Sequence, residues 1–216
     1  MRASFVTTLL ILASFGGGTR LSAQQPTLLP APGTPLAAVD PNAWQIDVGH
    51  SDLSFSIRHF VSRVRGGFGQ WSGTIIVDTT SLGRGSVDVT IQAATVDTRN
   101  GNRDKDLRSP NFFEVEKYPT ITFRSTRVEG RAEDLTVTGD LTIRGITKPV
   151  VLRGRYLGNT VDNRGGRRIG FEATTTINRL DYGLSWNRLA EGGGAMLGDE
   201  VRIDIVVAGT KPPPSP

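Results

Sequence analysis

The chain has 216 residues, 37% of them hydrophobic, with 26 glycines and no cysteine. This length fits one large domain or two small ones, and the lack of cysteine excludes disulfides, thiolate metal sites and cysteine nucleophiles. The formal net charge of +4 is only mildly basic and favours no nucleic-acid partner.

The first 23 residues are typical of a secretory signal peptide. Arg2 gives a positive start, a mostly apolar run follows from Phe5 to Phe15, and Leu21-Ser22-Ala23 resembles a cleavage site. The run is shorter than the ~20 residues of a transmembrane helix, so a cleaved signal is favoured over an uncleaved anchor. We therefore expect a periplasmic or secreted protein without stable membrane insertion.

Residues 24–42 are rich in proline and alanine and are predicted to form a disordered linker. Residues 211–216 have a similar composition and are predicted to be a disordered tail. The folded domain is therefore expected to span 43–210.

Apolar and polar residues alternate through most of 43–210, as in half-buried β-strands. The clearest case is 135–144, where Leu135, Val137, Leu141 and Ile143 alternate with polar residues. About nine strand segments are predicted, at 44–49, 53–58, 72–78, 87–92, 120–128, 135–144, 149–157, 171–178 and 201–207.

Short turns between these segments indicate antiparallel pairing, because parallel crossovers need a dozen or more residues. The predicted turns are Leu82-Gly83-Arg84-Gly85, Glu129-Gly130-Arg131, Arg144-Gly145 and Asn163-Arg164-Gly165-Gly166. The glycines between Gly66 and Gly73 suggest a bulged, strongly bent strand. An all-β barrel is favoured over a sandwich.

One stretch, 97–123, has a helical rather than a strand pattern. Ser109-Pro110 is a good helix start, since serine caps free N–H groups and proline tolerates the first helical position. Phe112 and Phe113 follow, and Tyr118-Pro119 ends the segment. We expect a short helical insertion that carries the two phenylalanines at the mouth of the barrel.

The predicted inner face is apolar but includes small residues, namely Ala93, Gly139, Gly154, Ala173 and Thr175. These residues leave room that is either filled by larger neighbours or kept as a cavity for an apolar ligand. The sequence leaves this choice open.

Chemistry-bearing residues are few. His59 continues the inward register of Leu53, Phe55 and Ile57, either as a ligand contact or as a hydrogen-bonded structural histidine. His50 is predicted to have a local turn role, and two histidines without cysteine make a poor zinc site.

Catalytic motifs have equally little support. No G-x-S-x-G motif occurs, and salt bridges that order the insertion are the favoured role for Arg103, Asp104 and Asp106. The basic group around Arg164 lacks interleaved aromatics, so nucleic-acid binding is not expected. We predict no catalytic residues, no metal and no cofactor.

Several motifs, in order along the chain, resemble the YceI-like family of polyisoprenoid-binding, lipocalin-like proteins. They are Trp44-x-Ile46-Asp47, His50-Ser51, Phe55-x-Ile57-x-His59, Thr98-x-Asn100, Arg103-Asp104-x-x-Leu107-Arg108-Ser109, Phe112-Phe113, Lys117-Tyr118-Pro119-x-Ile121-x-Phe123, Gly139 to Val150, and Gly170-Phe171-Glu172-Ala173. One departure is Asp106, where family sequences usually have histidine.

The resemblance implies an eight-stranded antiparallel lipocalin-like barrel with one short helical insertion. It further implies an exported protein, often a homodimer, that holds a polyisoprenoid or other long-chain lipid and has no established catalytic residues. The expected ligand-binding residues are Phe55, Ile57, His59, Phe68, Val89, Ile91, Phe112, Phe113, Phe123, Leu141, Ile143, Phe171 and Ile177. The alternatives are a lipid- or quinone-modifying enzyme that uses His59, and a stress-related structural barrel without a ligand.

Overall fold

The computed structural model describes residues 40–187 and 196–211. The predicted signal peptide, and nearly all of the predicted linker and tail, lie outside the described residues. Within the described ranges the chain forms one α-helix and eleven β-strands. The strands are β1 (Ala43–Ile46), β2 (Asp52–His59), β3 (Ser62–Phe68), β4 (Trp71–Asp78), β5 (Ser81–Gln92), β6 (Val96–Asp97), β7 (Thr120–Arg131), β8 (Asp134–Ile143), β9 (Ile146–Val161), β10 (Arg167–Asn178) and β11 (Leu197–Lys211).

The sheet closes into a barrel because β1 pairs with both β4 and β11. The closed ring therefore contains eight antiparallel strands, in the order β1-β4-β5-β7-β8-β9-β10-β11. Strand β2 also pairs with β11, next to β1, and it is followed in the sheet by β3 and β6. The predicted eight-stranded antiparallel barrel with one short helix is confirmed.

The alternation of apolar and polar residues leads to this barrel because the apolar face of each strand is buried inside it. In β8, Leu135, Leu141 and Ile143 are each at most 7% exposed, and the threonines between them face outward. The prediction of nine segments missed β3 and β6. The sequence of β3, Ser-Arg-Val-Arg-Gly-Gly-Phe, has few apolar residues, and β6 has only two residues.

The predicted turns have mixed outcomes. Arg144-Gly145 does join β8 to β9, with positive φ values of 52° and 72°, and 163–166 does join β9 to β10. The prediction at Leu82–Gly85 was wrong, because those residues lie inside β5. That hairpin turns instead at Thr79-Thr80, where Asp78 Oδ1 accepts hydrogen bonds from the backbone and hydroxyl of Thr80.

Two further expectations on glycines need correction. Glu129-Gly130-Arg131 lies at the end of β7, and the chain turns one residue later. Strand β3 pairs with β2 without a bulge through Gly66 and Gly67. Gly66 instead allows close packing, since a Cβ there would lie 2.7 Å from Phe55 Cζ and 2.6 Å from Thr98 Cγ2.

The helix α1 spans Gly101–Arg108 and begins at Asn100, whose side chain accepts a hydrogen bond from the Arg103 backbone N–H at 3.1 Å. The predicted helix start at Ser109-Pro110 was therefore wrong, because the helix ends there. Both Asn100 and Ser109 are good capping residues, and only the tertiary contacts of the helix decide between them. Phe112 and Phe113 lie in the turns that follow the helix.

Candidate functional site

The inside of the barrel is a cavity of about 610 Å³. Its walls come from the inward faces of the ring strands and of β2 and β3, and α1 covers one end. Most of the lining side chains are aliphatic or aromatic. The barrel is therefore hollow, which answers the question that the sequence left open.

All thirteen predicted ligand-binding residues line this cavity. Alternation along the strands placed those on β2, β5, β7, β8 and β10, and the family motif placed Phe112 and Phe113. The thirteenth, Phe68, ends β3 and belongs to neither group. Contact with a ligand stays a prediction for each of them. Sequence reasoning missed Leu184, Trp186 and Leu197, which also line the cavity, because no strand pattern marks the segment after β10.

The small inward residues contribute unequally to the empty volume. Ala173 and Thr175 line the cavity, and Gly154 also does, but a Cβ at Gly154 would lie 2.0 Å from the Glu172 carbonyl oxygen, so this position packs against β10 and leaves no room. The space above Gly139 is filled, because a Cβ there would lie 2.5 Å from Phe123 Cζ. Ala93 belongs to the buried core, with 1% of its surface exposed.

Aromatic rings gather at the end of the cavity beneath α1, which we call the mouth. Phe112 contacts Trp186 with ring centroids 5.3 Å apart. Phe113 contacts Phe68 at 5.9 Å, and Phe68 contacts Phe55 at 5.8 Å. Phe112 and Phe113 thus lie at the end of the barrel that α1 covers, in the turns after the helix and not on the helix itself. That a ligand enters at this end stays a prediction.

Side-chain hydrogen bonds, rather than an apolar face, hold α1 in place. Asp104 accepts hydrogen bonds from the backbone N–H and the hydroxyl of Thr98. Arg103 donates to the Thr98 hydroxyl at 2.7 Å and to its carbonyl at 2.8 Å. Arg108 donates to the carbonyls of Ala94 and Val96. The helix is thereby fixed to the strand that leads into it.

The predicted salt bridges among Arg103, Asp104 and Asp106 are not formed within the described residues. Asp106 instead accepts hydrogen bonds from Asn111 Nδ2 at 2.9 Å and from the Ser109 hydroxyl at 3.3 Å. Burial favours the neutral form of Asp104. Its hydrogen bonds from Thr98 and the Asn100 backbone, with the charge of Arg108, outweigh burial and lower its pKa.

Two arginines join the segments around the mouth. Arg144 forms an ion pair with Glu114 at 2.9 Å and donates to the carbonyl of Gly183. Arg179 is only 2% exposed and donates to Asp199 Oδ1 and to backbone carbonyls that include those of Leu184 and Trp186. Bonded partners therefore compensate both the buried charge of Arg179 and the half-buried charge of Arg144.

His59 differs from the other titratable residues that line the cavity. Within residues 40–187 and 196–211, neither nitrogen of its ring forms a hydrogen bond, and the ring packs edge-to-face on Phe60 at 4.8 Å. The other titratable lining groups, Arg103, Asp106, Arg155, Glu172 and Arg179, have bonded partners. His59 is thus free to hydrogen-bond to a polar group at the mouth.

The remaining predicted groups have local roles or form no cluster. His50 Nδ1 lies 2.9 Å from Asp47 Oδ2, which confirms its expected turn role. The described part of the chain contains no group of three His, Cys, Asp or Glu residues that could hold a metal. It also contains no helix long and apolar enough to cross a membrane.

Comparison with known proteins gives the same family by sequence and by structure. The model of the YceI-like domain matches residues 44–208. Protein YceI from Escherichia coli is 41% identical over 136 residues, which cover 62% of this chain and 71% of that protein. The crystal structure of the Campylobacter jejuni YCEI protein is 32% identical, with a TM-score of 0.64 over 77% of this chain and 96% of that one.

A more distant structure shares the fold. It is a polyisoprenoid binding domain from Saccharophagus degradans implicated in plant cell wall breakdown. The identity is 19%, and the TM-score is 0.57 over 78% of this chain and 98% of that one. Since the family model spans nearly the whole described barrel, the chain belongs to the YceI-like family.

Proposed function

We propose that this protein binds a polyisoprenoid or a similar long-chain amphiphile inside the barrel and carries or stores it outside the cytoplasm. The observation that carries the proposal is the hollow, largely apolar interior of about 610 Å³. Small-molecule sites typically enclose about 300–1,000 Å³ behind apolar walls with a few polar groups. Such an interior favours a ligand that water rejects.

The chemistry of the cavity walls and of the mouth suggests how the ligand lies in the barrel. A long apolar chain matches the aliphatic and aromatic walls, and the unbonded ring of His59 is the candidate contact for a polar head at the mouth. The polyisoprenoid binding domain from Saccharophagus degradans supports this ligand class, because it has the same fold.

The two alternatives have less support. An enzyme that uses His59 needs an acid or base partner for the ring, and the described residues provide none within hydrogen-bonding distance. A structural barrel with a solid core conflicts with the observed cavity. The structural alternative does not explain an apolar interior that stays empty of side chains.

Native mass spectrometry of the mature protein, purified from an exporting host without detergent, tests the proposal. We expect an added mass that disappears on denaturation and that matches an isoprenoid or long-chain lipid after extraction. A ligand-free mass, together with no uptake of added isoprenoid alcohol or fatty alcohol, would contradict the proposal.

Export and dimer formation are parts of the proposal with their own tests. The N-terminal sequence of the protein recovered from the periplasm or medium should begin after Ala23 if the signal is cleaved. Light scattering at micromolar concentration should give twice the mass of the mature chain if the protein is a homodimer. A cytoplasmic, uncleaved protein or a monomeric mass would remove the corresponding part.

A further inference from the structure

The mouth end of the barrel exposes apolar side chains to solvent. Among the described residues, eight large hydrophobic side chains are exposed, and Phe60, Val61, Ile146 and Leu180 lie at this end. Phe60 and Val61 form the turn between β2 and β3, Ile146 starts β9, and Leu180 follows β10. Because β9, β10, β11 and β2 are neighbours in the sheet, these residues lie along one part of the rim.

The β2–β3 turn is the most exposed part of this rim. Val61 is fully exposed and Phe60 is 42% exposed. Phe60 has a φ of 52°, a left-handed conformation that favours glycine and is uncommon for a bulky residue. The backbone geometry of the turn therefore does not explain why an aromatic residue stands at position 60. Its ring rests against His59, so the exposed tip is continuous with the mouth.

Positive charge flanks the tip of the β2–β3 turn. Arg58 and Arg63 lie directly opposite each other on β2 and β3, an arrangement of like charges that destabilises a hairpin. Within the described residues neither forms an ion pair with a carboxylate, and both are exposed. In the same described ranges Arg58 donates a hydrogen bond only to the carbonyl of Phe60, at 3.2 Å. These two charges are complementary to an anionic partner.

The basic group at the opposite end of the barrel is different. Arg168 pairs there with Asp47 at 3.0 Å and lies 3.9 Å from Asp162. Arg167 and Lys211 lie over the ring of Trp44. Most of the positive charge at that end therefore has a partner within the protein.

We propose that the β2–β3 turn docks the mouth onto an anionic lipid bilayer. The inference rests on the proposed function, since a ligand that water rejects is stored in a membrane and has to leave it. Phe60 and Val61 enter the interfacial layer, while Arg58 and Arg63 face anionic head groups. An apolar chain then passes between bilayer and cavity beside His59 without crossing open water.

Co-sedimentation with vesicles tests the docking step. The mature protein should bind vesicles of phosphatidylcholine with phosphatidylglycerol more tightly than vesicles of phosphatidylcholine alone, and the difference should shrink at high salt. Val61→Asp, and the double variant Arg58→Ser with Arg63→Ser, should each weaken binding to the anionic vesicles about tenfold or more. Equal binding by these variants and the wild type, or no vesicle binding at all, would overturn the inference.

Matched variants at other positions control for charge and folding. Val161→Asp removes an exposed apolar residue far from the mouth, and Arg131→Ser with Arg164→Ser removes two exposed positive charges at the opposite end. Both should bind anionic vesicles like the wild type. If these control variants lost as much vesicle binding as the variants at Val61, Arg58 and Arg63, the binding would reflect general charge attraction. That result would overturn the assignment of docking to the β2–β3 turn.

A transfer assay separates this inference from the proposed function. Binding of N-phenyl-1-naphthylamine in solution reports on the cavity, and transfer of a pyrene-labelled isoprenoid alcohol from vesicles reports on docking. Val61→Asp should bind the soluble probe like the wild type but take up the vesicle-held alcohol about tenfold more slowly. Unchanged transfer would overturn the inference and leave the proposed function standing. A wild-type protein that binds neither probe would contradict the proposed function, while the vesicle assay would still decide docking.

Discussion

Tyr182 has a polar atom that the fold does not satisfy. The residue is 1% exposed, and within the described part of the chain its hydroxyl has no hydrogen-bond partner. Burial, with a smaller contribution from the charge of Asp181, raises its pKa to about 12. A buried hydroxyl without a partner costs about 1–3 kcal/mol.

We therefore expect Tyr182→Phe either to leave the free energy of unfolding unchanged or to raise it by up to about 1 kcal/mol. Urea denaturation measures this change. Tyr156→Phe is the matched control, because Tyr156 accepts a hydrogen bond from Asn159 Nδ2 at 2.8 Å and should gain nothing from losing its hydroxyl. A clear loss of stability in Tyr182→Phe would show that its hydroxyl is bonded in solution.

Asp104 links the stability of the mouth to pH. The pKa of Asp104 is lowered in the folded protein. Its contribution to folding stability is therefore fully present above the unfolded pKa of about 3.9, and it is lost as the pH falls through the folded pKa. We expect Asp104→Asn to lower stability by about 1–3 kcal/mol at pH 7, because hydrogen bonds to a charged group are weakened. The gap between variant and wild type should narrow below about pH 4.

Thermal melts between pH 7 and pH 2.5 measure this convergence. Asp47, Asp78 and Asp204 also have lowered pKa values, so the wild type loses stability in acid for several reasons. The difference in stability between the wild type and Asp104→Asn at each pH reports on Asp104 alone. Asp134→Asn, at an exposed position, should follow the wild-type curve, and a constant gap for Asp104→Asn at every pH would contradict the assignment.

At the scale of elements, α1 is a helix whose position is set by polar bonds. Seven of its eight residues are polar, charged or glycine, so it has no apolar face to bury. It is held through Asn100 at its start, Asp104 inside it and Arg108 at its end. Such a helix depends strongly on its capping residue, since short helices are marginal by themselves.

Asn100→Ala should lower the free energy of unfolding by about 1 kcal/mol, because the Arg103 backbone N–H loses its acceptor. Lys105→Ala, on the exposed face of the same helix, is the control and should change stability by less than about 0.5 kcal/mol. Denaturation in urea measures both changes. Equal effects of the two substitutions would show that the cap is dispensable.

At the scale of the whole molecule, the hollow interior is the property on which function depends. Leu135, Phe171 and similar side chains point into the barrel but leave a cavity of about 610 Å³, and two of the residues that line it, Ala173 and Thr175 on β10, are small. A cavity inside an otherwise closed sheet loses packing contacts that a solid core would keep. Binding a ligand there should therefore also stabilise the fold.

Adjacent residues on β10 give a direct test of the interior. Thr175 lines the cavity, whereas Thr176 is exposed on the outer face. Thr175→Trp should fill part of the cavity and weaken binding of N-phenyl-1-naphthylamine at least tenfold, while Thr176→Trp should bind it like the wild type. Fluorescence titration measures both. Equal binding would place the probe outside the barrel, and circular dichroism checks that each variant is folded.

Alternation of apolar and polar residues by itself determined the class of fold and the inward face of most strands. Successive side chains point to opposite faces of a strand, so alternation places the apolar residues on one face, which is then buried. It also placed His59 on the inward face and, with the family motifs, identified twelve of the thirteen predicted residues that line the cavity. Short or polar strands such as β3 and β6 escaped prediction, since their pairing partners rather than their own residues make them strands.

Tertiary structure alone decided three matters. It chose Asn100 over Ser109 as the start of α1, because the bonds of Asp104 and Arg103 to Thr98 fix the helix there. It filled the space at Gly139 with Phe123 and the space at Gly154 with the neighbouring strand β10, but left Thr175 beside the cavity. It closed the ring through β1 and β11, whose pairing joins residues far apart in sequence. Each depends on contacts between distant segments, which local patterns do not encode.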